Sequence, residues 1–209
     1  MPEAKLQLIR PRPPELLLEP YVGIDFFVPA PELEEWARLA FLSDDSPLFN
    51  EDHIHLSTAH IGYLWTNVPN EKAGQIIAAT CEIPFFRGNA WQKHRQIMQM
   101  QEWFGDIPDA VITFDARLAD ICSDLQFCGR ADHELYHIRH AVNKLGEPLF
   151  DDAGQPKFAP KGHDVEEHTG IMRRYGPGGC AGDTIAFIEA SMRAPEIGEI
   201  ELIGVCGSC

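Results

Sequence analysis

Asp132-His133-Glu134-Leu135-Tyr136-His137 sets two histidines four residues apart with a glutamate beside the first. On an α-helix that spacing stacks the two imidazoles one turn apart on one face, where they can share a tetrahedral ion. Glu134 then stands next to the ion but outside ligand reach, placed to take a proton from an attacking water. The motif therefore predicts a helix that holds one zinc ion through His133 and His137, with Glu134 as a hydrolytic base. The plain alternative is a pair of polar histidines on an exposed helical face.

Upstream of the motif, apolar residues at Leu118, Ile121, Leu125, Leu135 and Ile138 recur at helical spacing. They predict one long helix over 116–142, or two helices broken near Gly129. Before it, Ala110-Val-Ile-Thr-Phe-Asp115 reads as a strand. Downstream, the turn chemistry of Asp151-Asp-Ala-Gly154 between two short apolar pieces predicts a hairpin that leads into Gly162-His163.

A catalytic zinc takes three protein ligands and keeps one position open. His163, delivered from a separate segment after the hairpin, is the favoured third ligand, and Glu166, Glu167 or His168 could take its place. His140 is disfavoured, because seven helical residues separate it from His133 by about 10 Å. Asp164 could orient a ligating imidazole or cap a following helix. Tyr136 is read as packing or solvent-facing, and Tyr175 as a possible oxyanion donor with a core or surface role favoured.

The chain has 209 residues, 44% of them hydrophobic, enough for one domain with a proper core. With 32 acidic against 17 basic residues, its formal charge is -15. Such a surface repels phosphate backbones and anionic membranes, so no nucleic-acid or membrane partner is expected, and Arg173-Arg174 reads as a solvated basic pair. Neither a secretion signal nor a run long enough for a membrane span is evident. The six cysteines, Cys81, Cys122, Cys128, Cys180, Cys206 and Cys209, then read as reduced thiols of a cytoplasmic protein. Cys206-Gly-Ser-Cys209 alone lacks the second pair that a structural zinc needs.

Residues 1–20 are proline-rich and read as an extended arm that docks on the domain without chemistry of its own. Pro31 opens a helix carrying Leu33, Trp36, Leu39 and Ala40. His60–Trp65 and Gly74–Ile83 read as neighbouring strands, and Trp91–Phe104 as a helix. Residues 21–178 are expected to form the domain and 179–209 a closing helix, Thr184–Met192, with a tail.

The His133-Glu-Leu-Tyr-His137 and Gly162-His163 pairing resembles the SprT-like zinc metallopeptidases. The segments Ile61-Gly-Tyr-Leu64, the strand from Gly74, the strand before the motif helix and His163-Asp-Val-Glu-Glu167 extend the likeness to the phage metallopeptidase family, over about residues 30–175. The resemblance implies His133, His137 and His163 as ligands, Glu134 as general base, a peptide or protein substrate and, for a phage or prophage protein, action in the host cytoplasm. The basic surfaces of SprT-like DNA-repair proteases are not evident, and His140 stands where the metzincin pattern has glycine.

The resulting expectation is an α+β, zincin-like single domain with a small mixed sheet packed on the motif helix. Residues 111–114 are expected to form an edge strand that pairs with extended substrate. A zinc-stabilised interaction protein, for example a binder of a host factor, is the competing expectation. Hydrolysis of a non-peptide amide is a third.

Overall fold

The computed structural model of the chain describes residues 9–18, 24, 26–72, 74–165, 172–173 and 184–194, together with the backbone of 205–206. The elements that frame the candidate site begin with α1 (Glu15–Leu18), β1 (Phe27–Pro29), α2 (Pro31–Phe41) and a 3-10 turn over Glu51–Leu56. Strands β2 (Ile61–Thr66), β3 (Glu71–Lys72) and β4 (Gln75–Glu82) follow, then α3 (Ala90–Phe104), β5 (Ala110–Asp115), α4 (Ala116–Ile121) and α5 (Asp124–Tyr136). Next come β6 (Ile138–His140), β7 (Phe158–Pro160), α6 (Thr184–Ser191) and β8 (Val205–Cys206).

The main sheet runs β1-β2-β5-β4-β3, with β8 also paired to β4. Because β2 and β5 are parallel while β1–β2 and β4–β5 are antiparallel, the sheet is mixed. With α5 packed on it, this is the expected small α+β, zincin-like arrangement. β2 is buried at every residue, as a strand covered on both faces must be.

Two sheet expectations need correction. β2 and β4 are not neighbours, since β5 inserts between them with Ile61 opposite Ala110 on one side and Ala79 opposite Phe114 on the other. Nor is the 110–115 strand an edge: it is flanked on both sides, and Val111, Ile112 and Phe114 are buried. Chain order favours hairpins between successive strands, but an apolar strand that buries both faces gains more at the centre of the sheet. Its backbone is therefore already paired and cannot receive a peptide.

The helical expectation around the motif is corrected as well. The break falls at Cys122–Ser123, not near Gly129, because Ser123 accepts from the Gln126 amide and the Gln126 side chain reaches back to Ser123, a reciprocal cap that starts α5. Gly129 lies inside that helix. The helix then ends at Tyr136, and Ile138–His140 turns into a strand paired with β7 instead of continuing to residue 142. The connection between β6 and β7 holds two successive turns, closed by Gly146 N–H to Asn143 O and by Gly154 N–H to Asp151 O. The second is the turn the sequence predicts.

Phe127 of α5 anchors the motif helix. Its ring lies 5.2 Å from Phe114, 6.0 Å from Trp65 and 5.4 Å from Trp36, joining sheet, α5 and α2 in one aromatic cluster. In α2, Pro31 opens the helix and Leu33, Trp36 and Ala40 face the core as the spacing predicts, while Leu39 is exposed and Ala37 and Phe41 complete the buried stripe. The N-terminal segment docks: Leu17 is fully buried and Arg10, 4% exposed, reaches the carbonyls of Ala119 and Cys122. No helix among the described residues is long and apolar enough to cross a membrane.

Candidate metal centre

Phe127, Ala131, Glu134 and Leu135 form the buried stripe of α5. At 100° per residue, His133 and His137 fall on an adjacent face and Asp132 and Tyr136 on a third. One helix thus presents a packing face, a ligand face and a tethering face.

His133 belongs to the last turn of α5, while His137 is the residue that ends it. His137 is then tied twice to the strand returning from the hairpin: its carbonyl accepts from Lys161 N–H at 2.8 Å, and its Nδ1 donates to the Lys161 carbonyl at 2.7 Å. Because a carbonyl can only accept, that bond puts the hydrogen on Nδ1 and leaves the lone pair of a neutral ring on Nε2. Two residues beyond Lys161, His163 completes the group.

The three Nε2 atoms converge. His133 Nε2 lies 3.3 Å from that of His137 and 3.1 Å from that of His163, and the ring centroids are 5.0 to 5.1 Å apart. Nitrogens held at about 2.0–2.1 Å around a tetrahedral ion stand roughly 3.3–3.4 Å from one another. The observed separations are close to that edge, so the three rings form a group that could hold a metal ion. Imidazole nitrogens suit the borderline divalent ions, and among the described residues the group has three members.

The electrostatics favour a neutral donor at His133. Burial, reinforced by the neighbouring His137 and His163 and opposed by Asp132, pulls His133 down from 6.5 to about 4. Its ring therefore stays uncharged at neutral pH, as a ligand must. Glu134, next in sequence to His133, is 0% exposed, and it lies in electrostatic range of Arg130 one turn earlier.

Of the other candidates, His140 is apart from the group: its ring packs edge-on against His55 at 5.5 Å and lies 5.6 Å from Phe158. Asp164 pairs with Lys161 Nζ at 3.0 Å, and the group that orients the His137 imidazole is a backbone carbonyl. The Tyr136 hydroxyl donates to Asp52 Oδ2 at 2.8 Å. Glu166, Glu167, His168, Arg174, Tyr175, Cys180 and Cys209 lie outside the described residues, while Arg173 is exposed. Among the described residues Cys81, Cys122 and Cys128 form no disulfide, and burial pushes Cys128 up to about 11.

Sequence reasoning passed over Asn50, Asp52, His53 and His55, which surround the tethering face of α5. A His-x-His pair inside a polar cluster was the available signal.

Neither a curated protein nor a solved structure matches the chain. A family model does: the one described as "Putative phage metallopeptidase" matches residues 27–193, a span that includes strands β1 to β7, α5 and all three histidines. The chain belongs to that family.

Proposed function

We propose that this chain is a zinc-dependent peptidase in which His133, His137 and His163 are the ligands and Glu134 is the general base. The observation that carries the reading is the convergence of three Nε2 atoms at 3.1 and 3.3 Å beside a fully buried glutamate. Zinc bound there would supply the Lewis acidity that polarises a peptide carbonyl and eases deprotonation of water. Glu134 receives a proton from the attacking water and returns it to the amine nitrogen as the C–N bond breaks. His137, with its tautomer fixed by Lys161, keeps its lone pair aimed at the centre. Three protein ligands are the number a hydrolytic centre uses, and the likeness to SprT-like enzymes points the same way. The acidic surface supports a protein substrate over nucleic acid, and thiols outside disulfides at Cys81, Cys122 and Cys128 suit the host cytoplasm.

The test is Glu134→Gln. The variant should bind one zinc with the affinity of the native chain and lose turnover of an unfolded protein substrate by at least about 100-fold. Native-level cleavage by the variant would remove Glu134 from the reaction. A native chain that binds zinc tightly yet cleaves none of a broad peptide library would favour the zinc-stabilised interaction protein instead.

A further inference from the structure

α5 stops at Tyr136, between the two ligands that its pitch is supposed to space. His137 N–H reaches back to Glu134 O, at 3.2 Å, and to Leu135 O instead of closing a full helical turn, with φ -73° and ψ -3°. A helix terminus frays unless something outside the helix satisfies and holds it. Here the motif is gripped from outside at both ends by the 3-10 turn.

On the near side, fully buried His53 places Nε2 2.7 Å from Asp132 Oδ1, the residue before His133. Asn50, which also caps the turn by accepting from Asp52 N–H, donates to the same Asp132 oxygen at 2.9 Å and to the Tyr136 hydroxyl at 3.1 Å. On the far side, His55 has its two ring nitrogens 2.8 Å from the carbonyls of Asp52 and Ile138, and Ile138 follows His137. The His53 ring also packs edge-on against Tyr136 at 4.5 Å. The bonds to Asp132, Tyr136 and Ile138 are partly withdrawn from water, which strengthens them and makes their geometry less forgiving.

We propose that the Asn50–Leu56 turn is a clamp that sets the spacing of His133 and His137, with Asn50, His53 and His55 as positioning residues for the metal centre. The inference rests on reading the three histidines as ligands, but its geometry concerns only the chain. Held at Asp132 and at Ile138, the five-residue motif has little room to splay, so the ion meets rings already spaced to receive it. A small turn distant in sequence thereby governs affinity without supplying a donor to the metal.

The test uses the full chain and two readouts. His53→Phe keeps a ring of similar size and deletes the bond to Asp132; His53→Gln restores a donor. In the metal-free protein, His53→Phe should speed amide hydrogen exchange across residues 133–138 about 10-fold or more while Ile77–Cys81 in β4 stay protected, which a general loss of stability would not do. Zinc affinity, read by chelator competition, should fall about 10- to 100-fold, with altered visible bands when cobalt replaces zinc, and His53→Gln should recover most of both. Unchanged exchange at 133–138 overturns the clamp, as does equal loss in the Phe and Gln variants. Should His53→Phe fail to fold, Tyr136→Phe, which deletes one hydroxyl from the same network, decides: faster exchange at 133–138 upholds the clamp and native exchange there rejects it. A native chain that binds no zinc would defeat the ligand assignment, while the exchange pattern still judges the clamp.

Discussion

His163 meets the other two imidazoles because the backbone of Lys161 is bonded twice to His137, so a single residue, Gly162, separates the tether from the residue that carries the third ring. His140, although nearer in sequence, points its ring toward His55 and Phe158. Replacing His163 with Ala should therefore weaken zinc binding by more than about 100-fold, whereas His140→Ala should leave it within a few-fold. Competition with a zinc chelator measures both, and loss of affinity in the His140 variant would reopen the ligand set. The motif pair was legible in the sequence because its i, i+4 spacing is a local property of a helix. His163 was legible as a segment, through Gly162 and the turn before it. The tethers at Asn50, His53 and His55 were not, since they meet Asp132, Tyr136 and Ile138 across 79 to 86 positions of sequence.

The helix that carries the motif is held by one ring more than by its own propensity. Phe127 is fully buried between Phe114, Trp65 and Trp36, so its truncation opens a cavity at the junction of sheet, α5 and α2. Phe127→Ala should cost about 3–5 kcal/mol in denaturant unfolding, and zinc bound only by the folded state should raise the unfolding midpoint of the native chain and the variant alike, leaving the difference between them in place. A loss below about 1 kcal/mol would mean that α5 is anchored elsewhere. Periodicity revealed the apolar stripe of this helix, but its start was hidden: Ser123 and Gln126 were present as a cap signature inside a run that also fitted one long helix. The placement of β5 was hidden more deeply, since the 110–115 run was recognisable as a strand while its neighbours depend on how α3 returns the chain to the sheet.

The N-terminal segment illustrates how far the stability of the whole molecule reaches beyond the elements that hold the site. Arg10 donates through Nη1 to Ala119 O and through Nη2 to Cys122 O, two carbonyls at the end of α4 that the helix itself leaves unbonded, and its Nε pairs with Asp124 at the start of α5. Its guanidinium also lies 4.8 Å above the Phe127 ring, so one cation spans the α4–α5 junction and the aromatic anchor. Prolines around it identified an extended segment from the sequence, yet nothing local marked this arginine, since its partners stand more than a hundred positions away. Arg10→Met keeps an apolar stem of similar length, removes the donor to Cys122 O and leaves Ala119 O only the weak donor of the Cys122 thiol, which should cost about 2–4 kcal/mol. Arg12 reaches the same Asp124 from a side chain 56% exposed, so Arg12→Met should cost no more than about 1 kcal/mol. Denaturant unfolding of both variants separates the two cases. Equal losses would assign the effect to charge, which an acidic molecule of net -15 shares among all its cations, and unequal losses of this size would assign it to two buried carbonyls and the ring beneath them.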